Sequence, residues 1–356
     1  MKSTVASAAF AVALAVTPVA VAADLHVGGS GPRRETSVSG DLATALPRLA
    51  AAEKGPVWLA WEVPATSSLR NACCFDQEFH GSVCQLEKED HGWGSNDHAA
   101  PGDGRLRVLA RTSGGRIDRV RGVSSTCGID AGALPFVHVT DVSSDASVAF
   151  LAGLVAGGSG ARKDDEEDGA LAALAFHAGA AAEGAMQRFA APGQPGERRE
   201  QALFWIGQAR GRDGVRFLAG VARDDASTDI RKKAIFALSQ SDAEDEAADT
   251  MVDIARRDAD PDVRGEALFW LAQTGAPGAG EEVLARVSAD PSLEVRKKAI
   301  FALTQLPKGG VPLLMRVARE QRQPPELRRE AIFWLGQSDD PRALDFFEQV
   351  LGKSDG

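Results

Sequence analysis

Tyrosine is missing from all 356 residues, although the chain carries 15 Phe and 6 Trp. That absence removes every mechanism that needs a phenol as acid, nucleophile or radical. Cations are also short: 40 Lys and Arg face 50 Asp and Glu, for a net charge of −10. Nucleic-acid binding needs a basic field, so nucleic acid is excluded as the expected partner. Long apolar runs are scarce as well. Apolar residues make up 44% and charged residues 25%, which fits neither a disordered tail nor a multispan membrane protein.

The one long apolar run is at the start. Lys2 precedes the Ala- and Val-rich stretch 5–16, Pro18 interrupts it, and Ala20-Val21-Ala22 supplies small residues at a cleavage pattern. At about 12 to 17 residues the run is short for a span of about 20. We therefore expect residues 1–23 to be a signal peptide cleaved near Ala22/Ala23, a periplasmic or secreted mature protein, and no membrane span after cleavage. The Ala-, Gly- and Arg-rich composition looks bacterial.

Cysteine is rare, and its distribution is uneven. Cys73, Cys74, Cys84 and Cys127 all lie in the N-terminal third. In an exported chain an even count reads as disulfides. Adjacent cysteines bond each other only with strain, so Cys73 and Cys74 are expected to face Cys84 and Cys127, in an order the sequence leaves open. A zinc site is the rival, helped by His80, His91 and His98, but no CxxC pair is present. Metal is not expected, and neither is a cofactor.

Around these cysteines we expect a β-containing module over 24–142. Residues 56–64 form an apolar run bounded by prolines, which suits a strand. Residues 105–111 and 116–123 alternate around Ser113-Gly114-Gly115, as a hairpin does. Their arginines would give a solvated basic face. Residues 136–139 offer a further strand, Ser144-Asp145 caps a helix, and 143–167 closes with a Gly-rich linker and the acidic run 164–168, which reads as a solvated linker or a helix N-terminus.

From about 168 the chain repeats itself. Five segments align: Arg199-Glu-Gln-Ala-Leu-Phe-Trp-Ile-Gly-Gln208, Arg231-Lys-Lys-Ala-Ile-Phe-Ala-Leu-Ser-Gln240, Arg264-Gly-Glu-Ala-Leu-Phe-Trp-Leu-Ala-Gln273, Arg296-Lys-Lys-Ala-Ile-Phe-Ala-Leu-Thr-Gln305 and Arg328-Arg-Glu-Ala-Ile-Phe-Trp-Leu-Gly-Gln337. Their arginines are 32 or 33 residues apart, and a second apolar-spaced helical stretch separates each from the next. Two short helices per unit without a strand make an α-solenoid.

With Asp260-Pro-Asp-Val-Arg264 and Asp290-Pro-Ser-Leu-Glu-Val-Arg296, the pattern resembles the HEAT-like repeats of PBS-lyase type over about 168–351. The resemblance implies a mostly α fold: a right-handed solenoid of about five to six helix pairs, with 352–356 as a tail. It also implies that the repeated arginines (Arg199, Arg231, Arg264, Arg296, Arg328) and Asp260 and Asp290 form a structural ladder between units. Enzymes on related scaffolds carry marks absent here. Deoxyhypusine hydroxylase uses His-Glu dyads, whereas these repeats hold only His177. No GxSxG, HExxH or P-loop occurs. No catalytic residue is expected.

At about 100° per residue, with the repeated Ala at zero, the core arc spans about 40° to either side. Trp205, Trp270 and Trp334 fall at its edge and alternate with Ala237 and Ala302, a two-repeat packing period. Phe204, Phe236, Phe269, Phe301 and Phe333 fall at about 200°, away from that arc. Gln208, Gln240, Gln273, Gln305 and Gln337 follow one turn on. Two readings stand for this row. Either the Phe rings cover one another in a packed ridge, or Phe and Gln line a concave groove for a protein or extended peptide. The expected function is an exported, non-enzymatic scaffold or adaptor that binds through this face. The alternative is a metal- or thiol-active N-terminal domain carried on a solenoid adaptor.

Overall fold

The structure is a computed structural model that describes residues 27–69, 72–75, 83–87, 92–95, 103–157 and 163–351. The expected signal peptide, the histidines of 76–102 and the tail lie outside these residues.

The N-terminal module is built on a five-stranded mixed sheet, in the order β2 (Arg33–Ser37), β10 (Phe136–Thr140), β3 (Val57–Pro64), β7 (Arg105–Ser113) and β8 (Arg116–Ser124). The first two pairings are parallel and the last two antiparallel. The Gly114-Gly115 turn, both residues at positive φ, closes the β7–β8 hairpin. Between β2 and β3 runs α1 (Leu42–Ala51), capped by the Asp41 carboxylate, which accepts from the Ala43 N–H at 3.0 Å. The sequence pattern names no element before Pro56, so this helix, which buries Leu42 and Leu46, is visible only in the structure.

Strand alternation splits the module's core in two. Val57, Leu59, Trp61 and Val63 of β3 face one side with Leu106, Val108 and Val139. Trp58 and Ala60 face the other with Leu109, Val123 and Phe136. This second side is covered by two small sheets. One has the order β1 (Val27–Gly28), β9 (Gly128–Asp130), β5 (Val83–Gln85); the other pairs β4 (Ala72–Phe75) with β6 (Gly92–Ser95). A disulfide joins Cys73 to Cys127, with Cα atoms 5.8 Å apart, and Cys84 is disulfide-bonded too. Cys73, Cys84 and Cys127 are all buried. The side chain of Cys74 lies outside the described residues.

The arginine face of the hairpin is not solvated as the alternation predicts. Arg107 and Arg119 are buried beneath the small sheets. Arg107 donates to Glu62 at 2.8 and 3.0 Å and to the Cys127 carbonyl at 3.1 Å, and Arg119 donates to the Leu86 carbonyl at 2.9 Å. Burial of these guanidiniums is tolerable because the Glu62 carboxylate and the Cys127 and Leu86 carbonyls accept from them.

The helices follow in pairs: α2 (Ser144–Gly157), then α3 (Lys163–Phe176) and α4 (Ala180–Ala190), α5 (Gly196–Ala209) and α6 (Gly211–Asp224), α7 (Thr228–Ser239) and α8 (Glu244–Arg257), α9 (Pro261–Thr274) and α10 (Ala279–Ala289), α11 (Leu293–Thr304) and α12 (Gly310–Arg319), α13 (Pro325–Gly336) and α14 (Pro341–Leu351). The acidic run 164–168 lies in the first turns of α3, which is the helix N-terminus the sequence offers beside a linker.

Helix α3 joins the two parts. Its segment 170–176, Ala-Leu-Ala-Ala-Leu-Ala-Phe, is buried on every side, as a helix without a polar face must be. One side meets β8 at backbone distance: a Cβ on Gly169 would sit 2.1 Å from the Val120 carbonyl oxygen. The sheet's first face, α1, α2 and the whole solenoid therefore share one continuous core. A backbone clasp closes the seam. Thr66 N–H donates to the Phe176 carbonyl at 2.8 Å and Ala178 N–H to the Pro64 carbonyl at 2.9 Å.

His177 is fully buried in this seam, its Nδ1 3.1 Å from the Ala178 carbonyl. Burial holds its pKa below the ordinary histidine value; the Arg210 charge adds to that, while the Ala178 carbonyl and Asp145 oppose it. Arg210 itself donates to the Leu174 carbonyl at 2.9 Å.

Candidate functional site: the aromatic strip of the inner helices

The repeated segments are the odd-numbered helices α5 to α13. Their starts are written in the sequence. Ser227, Asp260 and Ser292 cap α7, α9 and α11 through side-chain oxygens that accept from the first-turn N–H groups. Gln240, Gln305 and Gln337 sit at the C-caps of α7, α11 and α13. The odd helices pack on one another more closely than the even ones, so they form the inner layer of the stack.

On each odd helix the repeated Ala (202, 234, 267, 299, 331) is fully buried, as expected. The aliphatic residue after it, Leu203, Ile235, Leu268 or Ile300, is fully buried too. That position lies at about 100° from the Ala, outside the arc predicted for the core. The difference is physical: a helix in a stack is covered by its own partner helix and also by the neighbouring repeats.

Phe204, Phe236, Phe269 and Phe301 are half-buried and Phe333 is exposed, and the rings of the row meet in a two-repeat rhythm. Phe204 stacks on Phe236 at 6.0 Å and 16°, and Phe269 stacks on Phe301 at 5.9 Å and 10°. In both cases the following repeat carries Ala (237, 302) three residues after its repeated Ala, which leaves room for face-to-face approach. Where that residue is Trp, the indole fills the space instead. Phe236 leans on Trp270 at 4.7 Å and 49°, and Phe301 leans on Trp334 at 5.0 Å and 48°. Phe176 meets Trp205 edge-on, at 6.3 Å and 75°. Each Trp also meets the Phe beside it in sequence at 5.0 or 5.1 Å. The result is one unbroken strip from Phe176 to Phe333, each contact contributing about 0.5–1.5 kcal/mol beyond area burial. Trp270 and Trp334 thus belong to the strip as well as to the packing between layers.

Polar groups flank the rings. Trp270 Nε1 donates to Glu266 at 2.7 Å and Trp334 Nε1 to Glu330 at 2.9 Å, one turn back on the same helix. The Ala repeats carry lysines there instead, and these pair across the strip: Lys233 with Glu200 at 2.9 Å and Lys298 with Asp262 at 2.7 Å. The Lys298 contact helps hold the Asp262 carboxyl below its ordinary pKa. A cleft of about 570 Å³ opens over the Phe236–Trp270 corner, lined also by Glu200, Lys232, Lys233 and Glu266. A second, of about 540 Å³, lies against Phe301 and Trp334, with Gln305 and Gln337 on its wall.

The glutamines form a looser row at the far end of the inner helices. Gln208 donates to Gln240 at 3.5 Å, and Gln240 and Gln305 donate to Ser239 and Thr304 at 3.1 and 2.8 Å. Gln273 and Gln337 are exposed. Gln208 and Gln240 line a cleft of about 400 Å³ that Ser68 of the N-terminal module closes at one side.

The arginines run along the opposite edge, at the helix starts; the first four reach towards the next unit, and Arg328 turns back to the loop before its own helix. Arg199 pairs with Asp225, and Arg231 lies 3.6 Å from both Asp258 and Asp260. Arg264 makes a two-pronged bond to Asp290 at 2.8 and 2.9 Å. Arg296 donates to Gln323 at 2.8 Å, and Arg328 donates to Gln321 at 3.0 Å. Asp260 therefore meets the preceding arginine, not Arg264. The acceptors Asp225, Asp258 and Gln323 went unnamed in the sequence, although their constant offset of 26 or 27 residues from each arginine would have found them. Likewise, the Glu266–Trp270 and Glu330–Trp334 spacing of four was a legible sign of the Trp–Glu bonds.

The family described as HEAT repeats matches residues 190–272, 248–324 and 280–356. The solenoid is made of HEAT repeats. This stretch holds all five repeated segments, and it bears out the resemblance drawn from their residues. No curated protein matches the chain. Among solved structures, the complex of CpcE and CpcF of phycocyanin lyase from Nostoc sp. PCC7120 is similar at 16% identity and a TM-score of 0.33, covering 44% of this chain and 98% of that one. Lipovitellin is similar at 11% identity and a TM-score of 0.40, covering 64% of this chain but 30% of its own.

Proposed function

We propose that this HEAT-repeat protein is a non-catalytic scaffold or adaptor that holds an extended peptide segment of a protein partner along its inner aromatic strip. One observation carries the reading: Phe–Trp corners recur every second repeat, at Phe236–Trp270 and Phe301–Trp334, each beside an open cleft. Inner helices pack about 8–10 Å apart, so the corners lie about 16–20 Å apart. An extended chain rises about 3.3 Å per residue, and two bulky side chains five or six residues apart would fill both. The Gln side chains supply donors and acceptors for the peptide backbone, and the Lys and Glu pairs set its register. The protein acts outside the cytoplasm, after cleavage of residues 1–23. The Cys73–Cys127 disulfide supports that compartment.

Peptide display on the immobilised protein tests this. Selected sequences should carry two large apolar residues at that spacing and quench or enhance Trp fluorescence. Trp270→Ala and Trp334→Ala should each weaken binding at least tenfold, or about 1.4 kcal/mol. Selection of no common pattern, or variants that bind as wild type does, would defeat the proposal.

A further inference from the structure

The two Phe–Trp corners share their rings but not their charge. Phe236 and Trp270 stand 4.7 Å apart at 49°, and Phe301 and Trp334 stand 5.0 Å apart at 48°. Among the described residues, the cleft over the first corner is lined by the carboxylates of Glu200, Asp229 and Glu266, against Lys232 and Lys233. The cleft at the second corner sets Lys308 and Arg342 against Asp340. Arg342 is held by Asp340, to which its Nε donates at 2.9 Å, so the charge left over there is positive. At the first corner both lysines are engaged, Lys233 with Glu200 at 2.9 Å and Lys232 with Asp229 at 4.0 Å. The charge left over there is Glu266.

Glu266 is tied to the corner. Trp270 Nε1 donates to its Oε1 at 2.7 Å, which fixes the carboxylate beside the indole, and among the described residues no Lys, Arg or His pairs with it. The residue is half-buried. A bulky apolar side chain in the cleft would take this carboxylate further out of water, which is costly while it has no counter-charge. A cation next to that side chain offsets the cost. The rings favour the same partner, because an aromatic face attracts an ammonium or guanidinium through its quadrupole. The chain's net charge of −10 also draws a basic segment on approach.

We propose that the segment held by the strip is cationic: it carries a Lys or Arg next to the apolar side chain that fills the Phe236–Trp270 corner, where the charge meets Glu266 and the two rings. This rests on the strip being a peptide groove, and it adds the charge of the partner and the corner that reads it. The second corner, with Lys308 at its cleft, does not share the preference. The partner is therefore read asymmetrically, with its basic side on the earlier of the two corners.

Titration of Trp fluorescence with synthetic peptides tests it. Each peptide carries two Phe anchors at the spacing given above, with Lys, norleucine or Glu next to each anchor. The Lys peptide should bind at least about tenfold more tightly than its norleucine counterpart, equivalent to about 1.4 kcal/mol, and the Glu peptide more weakly than either. Glu266→Gln, which keeps an acceptor for the indole, should cut the Lys preference to about threefold or less. Asp249→Asn, which removes the same charge from an exposed position on the outer helix α8, should leave the preference whole. Three peptides that bind equally well, or a preference that the two variants change alike, overturn the inference while the groove stands. If none of the three binds, the groove itself fails and this inference falls with it.

Discussion

Arg264 lays two nitrogens against the two carboxylate oxygens of Asp290, at 2.8 and 2.9 Å, across the boundary between two repeats. Both side chains are buried. Arg264 also donates to the Asp258 carbonyl at 2.9 Å, so a single guanidinium ties a helix start, the loop before it and the loop of the next unit. The pairing raises the arginine's pKa through the Asp290 bond despite its burial. At Asp290, burial alone would raise the carboxyl, but the bonds from Arg264 and the Ser292 N–H and the nearby positive charges outweigh it and hold the pKa low.

Arg264→Ala should therefore destabilise the fold by about 3–5 kcal/mol, because it leaves a buried carboxylate unpaired. Arg328→Ala, which removes an exposed bond to Gln321, should cost no more than about 1.5 kcal/mol. Denaturant melts of the two variants make the comparison. Equal losses would mean the ladder does not act as a chain of buried pairs.

Stability should fall on acidification in two stages. His177 is neutral in the fold and its pKa is depressed, so its contribution is complete above the unfolded value of 6.5 and declines as pH drops below that. Asp225 and Asp290 are likewise depressed from 3.8, so theirs persists until pH falls past that value towards the folded pKa. Thermal melts of His177→Gln should lose the first stage and keep the second. An unchanged slope just below pH 6.5 would remove His177 from the account.

Gly169→Ala should force α3 away from β8, since the new methyl would stand 2.1 Å from the Val120 carbonyl oxygen. Overpacking of this kind costs about 1–3 kcal/mol. Gly153→Ala on α2 meets nothing within 4 Å and should be neutral or slightly stabilising, by up to about 1 kcal/mol. Chemical denaturation of this pair separates a steric effect at the seam from a general helix effect.

The period of 32 residues, the helix pairs, their caps and the buried Ala positions were all legible in the sequence, because repeated helices write their core as a repeated residue. So were the β3 strand, an apolar run between prolines, and the β7–β8 hairpin, whose strands alternate with period two. Three features were not. The arginine face of the hairpin reads as solvated because sequence alternation shows only that two faces differ, not that a disulfide-tied layer covers the second. The core arc of the inner helices was drawn too narrow because periodicity records one helix, whereas burial here comes from three neighbours. The ring contacts depended on how closely successive repeats stack.

The sequence by itself determined that the aromatics recur and that Trp alternates with Ala. Only the tertiary structure decided what that alternation does. Ala lets two Phe rings lie face to face, and Trp holds them apart at a corner beside an open cleft. Side-chain volume is local information, but the gap it fills or leaves exists only once neighbouring helices are in place.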